Sequence, residues 1–275
     1  MPELPETETI ARDLDREIRG RTIGDVVVRR ADVLREVDAA ALAGRVRGAT
    51  IARCWRRAKL VVLDLDTGDR IVVQPRFTGA LLLSRGALPE REAAYSTLHF
   101  ALDDGRDLHY RDIRRLGTVT VMDAGRFDAY SGGLGIEPLD PGFSDAHLSV
   151  LLRGSRQAVK KVLMDQRVLV GVGNIYANEA CWRAGVDPSR QARTLEPDDV
   201  ARLHAGITSV LAESIAARGT SFRDYRDASG GRGDFERSLA VYGRGGEPCR
   251  RCGARLVETH AIDGRTTVLC AGCQR

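Results

Sequence analysis

The hydrophobic period changes once along this chain, and that change limits the folds open to it. Between residues 22 and 122 the sequence breaks into short β-rich stretches separated by turn signals: TIGDVVVRR, ATIARCWRR, KLVVLDLDTG, RIVVQPRF, ALLLSR, TLHFALDDG, DLHYRD and TVTVMD. TGDR and DDGR have the composition of hairpin turns. These stretches predict a β-sandwich or barrel. Ahead of them, PETETIARDLDREIRG repeats Ile10, Leu14 and Ile18 every fourth residue, with acids in its first turn and Gly20 at its end, and predicts one helix. Past SGGLGIEPLDPGF, a Gly/Pro-rich hinge within 123–143, the pattern turns helical. SDAHLSVLLRG and SRQAVKKVLMD each start with a Ser cap, and NIYANEACWRAG and EPDDVARLHAGITSVLAESIAARG follow. Residues 219–244 are polar, Gly-containing and too long for a mere connector.

The expected fold class is therefore α+β multidomain. A helix plus β-sandwich occupies 1–130, a hinge linker 131–143, a helical domain 144–243 and a cysteine-bearing hairpin 244–275. With 275 residues and 43% hydrophobic content the chain can bury real cores. No run of eighteen apolar residues occurs, and no basic-then-apolar leader opens the chain, so the expectation is a cytoplasmic protein. A net charge of +4 permits a nucleic-acid partner without requiring one. Of 42 basic residues only Lys59, Lys160 and Lys161 are lysine. Genomic base composition accounts for an Arg bias; a lysine that survives it points to a site that needs a compact ammonium.

Four of the six cysteines, Cys249, Cys252, Cys270 and Cys273, form C-x₂-C-x₁₇-C-x₂-C. Two such knuckles close a tetrahedron of thiolates, which predicts one structural Zn²⁺ with no open position; two disulfides or a redox pair are the alternatives. Between the knuckles, ARLVETHAIDGRTTVLC reads as a hairpin with Arg265 near its tip, a way to hold a cation against nucleic acid. Gly171 and Gly173 bracket a turn that delivers Asn174 at a helix start, where backbone donors favour an anion, although a plain capped connection has the same look. Arg156 and Lys160 are spaced to share one helix face, which a merely solvated basic face would also do. The N-terminus MPELPE is odd for a frayed end, with two prolines and two acids ahead of any apolar pattern.

Taken in order, MPELPE, Lys59 in RRAKLVVLDL, MDQRVLVGVGNIYANE and VYGRGGEPCRRCG with its second C-x-x-C resemble the formamidopyrimidine-DNA glycosylase (Fpg) family over nearly the whole chain. Leu4 favours this branch over the endonuclease VIII group, whose members start PEGPE. The resemblance implies a β-sandwich domain, a helix–two-turns–helix domain and a zinc finger, with DNA bent in the cleft between domains. It implies a monomeric, bifunctional base-excision-repair enzyme of the bacterial cytosol or nucleoid, acting on double-stranded DNA that holds 8-oxoguanine, formamidopyrimidines or abasic sites. Relatives use the amine of Pro2 as nucleophile once Met1 is removed, Glu3 to protonate the opening sugar, Lys59 for β-elimination and Arg265 for δ-elimination. Glu6 helps to shape the same pocket. Arg156, Lys160 and Asn174 match phosphate-binding positions, and Arg114 an arginine inserted opposite the lesion. Residues 219–244 match the loop that folds over a flipped purine.

Departures from the family pattern are local. QPRFTG replaces HLGMSG, so Phe77 becomes the void-filling wedge; Leu116 stands where an aromatic wedge usually follows the double arginine. Tyr95-Ser96-Thr97 replaces H-x-H, a DNA contact, and Thr7 replaces Val. The rival readings are a glycosylase for oxidised pyrimidines on the same fold and a non-catalytic damaged-DNA-binding zinc protein.

Overall fold

The computed structural model describes residues 2–221 and 224–275. It contains two compact units, one of residues 2–132 and Ala217–Glu236, the other of Gly133–Ala216 and Arg237–Arg275.

In the first unit, helix α1 (Leu4–Ile18) precedes strand β1 (Ile23–Val28), helix α2 (Ala39–Val46) and strands β2 (Ile51–Arg57), β3 (Leu60–Leu65), β4 (Asp69–Gln74) and β5 (Gly79–Arg85). The short helix α3 (Glu90–Ala93), strands β6 (Ser96–Leu102), β7 (Arg106–Asp112) and β8 (Thr118–Asp123), and helix α4 (Ala124–Gly132) follow. The strands form two antiparallel four-stranded sheets, β1-β6-β7-β5 and β2-β3-β4-β8. TGDR and DDGR make the β3–β4 and β6–β7 turns, as their composition predicts. One apolar core takes Ile23, Val26, Phe100 and Leu108 from the first sheet and Val61, Leu63, Ile71 and Val121 from the second. Ile10, Leu14 and Ile18 of α1 join it fully buried, each worth about 1.5–3 kcal/mol.

The second unit holds helices α5 (Asp145–Arg153), α6 (Val159–Leu163), α7 (Asn174–Ala184) and α8 (Pro197–Ala216), and the antiparallel hairpin of β9 (Val257–Thr259) and β10 (Thr267–Leu269). Helices α7 and α8 pack closely because residue 206 is glycine: a Cβ there would come within 2.8 Å of the Ala180 carbonyl oxygen. Ser144 caps α5 as expected, accepting the His147 N–H at 3.2 Å.

Three features depart from the sequence reading. Helices α2 and α4 were not anticipated, and α4 occupies most of the first half of the expected hinge region. The helix expected over SRQAVKKVLMD begins only at Val159. Residues 155–159 instead pair with 190–193: Arg193 N–H meets Ser155 O at 3.0 Å, Ala192 N–H meets Gln157 O at 2.8 Å, and Val159 N–H meets Arg190 O at 2.8 Å. Backbone partners from afar outcompete the first helical turn, so Arg156 lies outside the helix and shares no helix face with Lys160. Finally, Ala217–Glu236 packs with the β-sandwich rather than with the helices that precede it, for reasons visible at the site below.

Candidate active site and nucleic-acid interface

From Pro2 onward the chain is built into the first unit. Pro2 is buried, and Glu3, 2% exposed, is the N-cap of α1. The Glu6 carboxylate, equally enclosed, accepts the Glu3 N–H at 2.8 Å through one oxygen and the Thr220 N–H at 2.7 Å through the other. One carboxylate thus ties the N-terminal residues to the 217–236 segment. Gly219, at φ +87, makes this approach possible: a Cβ there would sit 3.0 Å from the Glu6 carboxylate. Thr7 spends its hydroxyl on the Glu3 carbonyl at 2.9 Å, so the replacement of Val by Thr leaves no polar atom stranded.

Lys59 occupies the two-residue β2–β3 turn, half-buried, after Ala58 at φ +53. The turn's place along α1 follows from two contacts. Cys54 N–H donates to Asp15 Oδ1 at 2.8 Å, and Arg56 Nε to Glu8 Oε2 at 2.7 Å. Advancing along β2 therefore descends α1, which carries the Lys59 turn toward the helix end that bears Pro2 and Glu3. Glu8 also pairs with Arg12; burial works to raise its carboxyl, and the two guanidiniums more than offset this, holding it below the ordinary value.

A second group occupies adjacent turns of the sandwich. Phe77, between β4 and β5, is 44% exposed, and Leu116, between β7 and β8, is 41% exposed. The Arg114 guanidinium stacks 4.9 Å from the Phe77 ring centroid. Beneath them, buried Asp112 accepts from Thr78 Oγ1 at 2.5 Å and from Gly117 N–H at 2.8 Å, and Thr78 Oγ1 accepts the Arg114 N–H at 2.9 Å. Exposed apolar tips on a fixed base are what a wedge between base steps requires. Tyr95 is also exposed, while its carbonyl accepts the Asp112 N–H at 3.0 Å.

In the second unit, Asn174 opens α7 and donates through Nδ2 to Thr266 O at 3.0 Å. Arg156 and Arg265 are exposed, Arg265 in the β9–β10 turn. Lys160 is not a surface cation. It is 0% exposed, donates to Thr267 Oγ1 at 2.7 Å and Thr266 O at 3.2 Å, and faces Asp263 Oδ1 at 3.7 Å. Burial pushes its ammonium below the usual lysine value, with Asp263 opposing. Glu179, fully buried on α7, accepts the N–H groups of Ala240, Val241 and Tyr242 at 2.8–2.9 Å and so secures the approach to the cysteine module. Neither this anchor nor the Glu6–Thr220 link has a local signal in the sequence, because each joins residues far apart in the chain.

The sulfurs of Cys249, Cys252, Cys270 and Cys273 all lie within 4.8 Å of one another. Separations of 4.0 Å (Cys249–Cys273) and 3.4 Å (Cys252–Cys270) bracket the roughly 3.8 Å edge of a tetrahedron with 2.3 Å Zn–S bonds, and lie far beyond a disulfide's ~2.05 Å. Trp182 Nε1 and the Arg251 N–H each approach Cys249 Sγ at 3.4 Å, donors suited to a thiolate. The four residues fit a closed structural metal site.

A family model for the N-terminal domain of formamidopyrimidine-DNA glycosylase matches residues 1–119, and one for its H2TH domain matches residues 134–226. The chain belongs to the formamidopyrimidine-DNA glycosylase family. Its similarity to the Desulfitobacterium hafniense formamidopyrimidine-DNA glycosylase is 40% identity over all of both chains, and to that of Xanthomonas campestris 41% over all of both. Among solved structures, Thermus thermophilus MutM (Fpg) superposes with a TM-score of 0.87 at 34% identity, covering 99% of this chain and 98% of that one. Lactococcus lactis Fpg in complex with DNA containing an abasic site superposes with a TM-score of 0.92 at 29% identity, covering 99% of each. Membership in the formamidopyrimidine-DNA glycosylase family makes the chain a DNA-repair glycosylase, and gives its cysteine cluster the place of the zinc finger. No helix among the described residues is long and apolar enough to cross a membrane.

Proposed function

We propose that the chain excises oxidised purines, 8-oxoguanine and formamidopyrimidines, from duplex DNA and then cleaves the strand at the resulting site. Pro2 is the nucleophile. Once Met1, which lies outside the described residues, has been removed, the secondary amine of Pro2 attacks C1′ of the damaged nucleotide. The glycosidic bond breaks, the base departs with a proton, and Glu3 protonates O4′ as the sugar ring opens. An α-amine has a reference pKa of about 8, so an appreciable fraction is neutral and nucleophilic near pH 7. The product is an iminium at C1′, an electron sink that acidifies the C2′ proton. Lys59 assists loss of that proton and departure of the 3′ phosphate; Arg265 assists the second elimination, which releases the 5′ phosphate. Arg156 and Asn174 bind backbone phosphates, Arg114 enters opposite the lesion with Phe77 and Leu116 as wedges, and Tyr95 stands at a further DNA contact. Such contacts hold and bend the duplex with little reading of sequence.

The observation that carries this reading is the enclosure of Pro2 and Glu3. A chain end with no task is ordinarily solvated and frayed, whereas here Glu6 fixes it through two amides. The four cysteines would hold one Zn²⁺ with no open coordination position; bound there it would supply no chemistry to the reaction and would stabilise the hairpin that carries Arg265.

Borohydride trapping on a duplex with one 8-oxoguanine opposite cytosine tests the proposal, because borohydride reduces an iminium to a stable amine. Processed protein should give a covalent band, and protein with a retained, uncleavable Met1 should give none. A band only on dihydrouracil duplexes assigns the site to oxidised pyrimidines, and no band on either, with binding intact, leaves a damage-binding protein.

A further inference from the structure

Arg218 is an unlikely residue for its position. It adopts φ +61 and is followed by Gly219 at φ +87, two consecutive left-handed residues of which only the second is glycine. Its guanidinium is spread between two aspartates whose side chains are each 4% exposed. Nη2 and Nη1 reach Asp13 of α1 at 2.5 and 3.2 Å; Nη2 and Nε reach Asp227 at 2.6 and 3.1 Å. Asp227 is itself built into its loop, its Oδ1 accepting Ser229 Oγ at 2.8 Å, Ser229 N–H at 3.1 Å and Gly231 N–H at 2.7 Å. Arg16 adds a weaker contact to Asp13 at 3.3 Å.

The arrangement is a clamp with one cation between two enclosed anions. The Arg218 side chain is itself 44% exposed, so its removal lets water reach both carboxylates: the loss frees the loop from α1 and costs little stability. The clamp joins α1 to two points of one loop, Arg218 at its start and Asp227 at its middle. Ala217 O accepts the Asp234 N–H at 2.9 Å, Gly219 O accepts the Phe235 N–H at 3.1 Å, and Ser221 Oγ accepts the Gly233 N–H at 2.9 Å, closing the base of the 217–236 segment. Two residues beyond Arg218, the Thr220 amide meets the Glu6 carboxylate that also holds the Glu3 N–H. The clamp therefore fixes this segment in register with the reacting end of the chain. The segment supplies none of the residues assigned above to the two phosphate eliminations.

We propose that Arg218, clamped between Asp13 and Asp227, is a positioning residue for base excision: it sets the 217–236 segment against the N-terminal site while a damaged base is present, and has no part in cleaving a strand whose base is already gone. The inference rests on the function proposed above. The test compares single-turnover base excision on an 8-oxoguanine duplex with strand cleavage on a duplex holding a preformed abasic site. Arg218→Gly removes the clamp and tolerates the backbone; Asp13→Asn weakens it without touching the loop. Both variants should lose about ten- to hundredfold in excision, the scale of a small misplacement, at unchanged melting temperature. Their cleavage of the abasic duplex should stay within about twofold of wild type. Equal losses on the two duplexes, or no loss on either, overturn the proposal. Wild-type protein that processes neither duplex overturns the functional reading itself, a result distinct from those two.

Discussion

Lys160 Nζ donates to Thr267 Oγ1 at 2.7 Å across 107 positions of sequence, and the same ammonium reaches Thr266 O and Asp263. With Asn174 Nδ2 on Thr266 O and the Val268 N–H on Asn178 Oδ1 at 2.8 Å, it docks the β9–β10 hairpin on α6 and α7. Lys160, for which the family resemblance implies a phosphate contact, is fully buried with its ammonium held by the turn that carries Arg265.

That relationship separates two roles by salt dependence. A phosphate ligand contributes a slope of about −0.9 to log K against log salt, so its loss flattens the plot by about one unit. Lys160→Met should leave the slope unchanged while lowering DNA affinity and costing about 1–3 kcal/mol of stability through the unpaired Asp263 and Thr267. Arg265→Ala, by contrast, should flatten the slope. Filter binding from low to moderate salt, with denaturant melts of both variants, provides the check.

Metal content should be one Zn²⁺ per chain, and Cys252→Ala should lose it. Structural zinc is worth on the order of 10 kcal/mol to the element it organises, so chelation should loosen the hairpin while the β-sandwich keeps its own melting transition. Trp182 reports the event, since its Nε1 lies 3.4 Å from Cys249 Sγ and Trp55, the other tryptophan, lies against the separate Val62–Phe127 cluster. Its fluorescence should change on chelation and recover with added zinc; a spectrum indifferent to metal in a zinc-free chain would remove the site.

His109 gives the sandwich an acid limit. Burial, with His99 adding to it, pushes its imidazole down from 6.5 to about 4, while Ser96 Oγ and Ser84 Oγ take up its nitrogens at 3.0 and 3.2 Å. The unfolded chain therefore binds a proton between those values that the native chain refuses, and stability falls as pH drops through that window. Because water reaches part of the site, the loss is on the order of 2 kcal/mol rather than the full linkage value. His109→Gln should melt with a flatter dependence between pH 6.5 and pH 4; parallel curves would assign the acid sensitivity elsewhere.

Local chemistry was legible in the sequence wherever spacing alone defines it. The strands of the sandwich follow from alternation and turn residues, α1 and α8 from apolar period and caps, and the thiolate cluster from two knuckles of fixed geometry. Helix α6 shows where that reasoning stops, since pairing of 155–159 with 190–193 displaced a capped first turn. The family resemblance implied wedges at Phe77 and Leu116, whose side chains are exposed, whereas the Asp112–Thr78 base beneath them has no local signal in the sequence.

By itself, the sequence picked out the candidates for chemistry: Pro2, whose amine becomes available once Met1 is removed, Glu3, the surviving lysines and four cysteines. Tertiary structure decided what each is free to do. Burial turned Lys160 from a surface cation into an anchor, Glu6 into a bridge between Glu3 and Thr220, and Arg218 into a clamp between Asp13 and Asp227. A charged group's role depends on what replaces its lost water, and those replacements come from residues as many as 214 positions away.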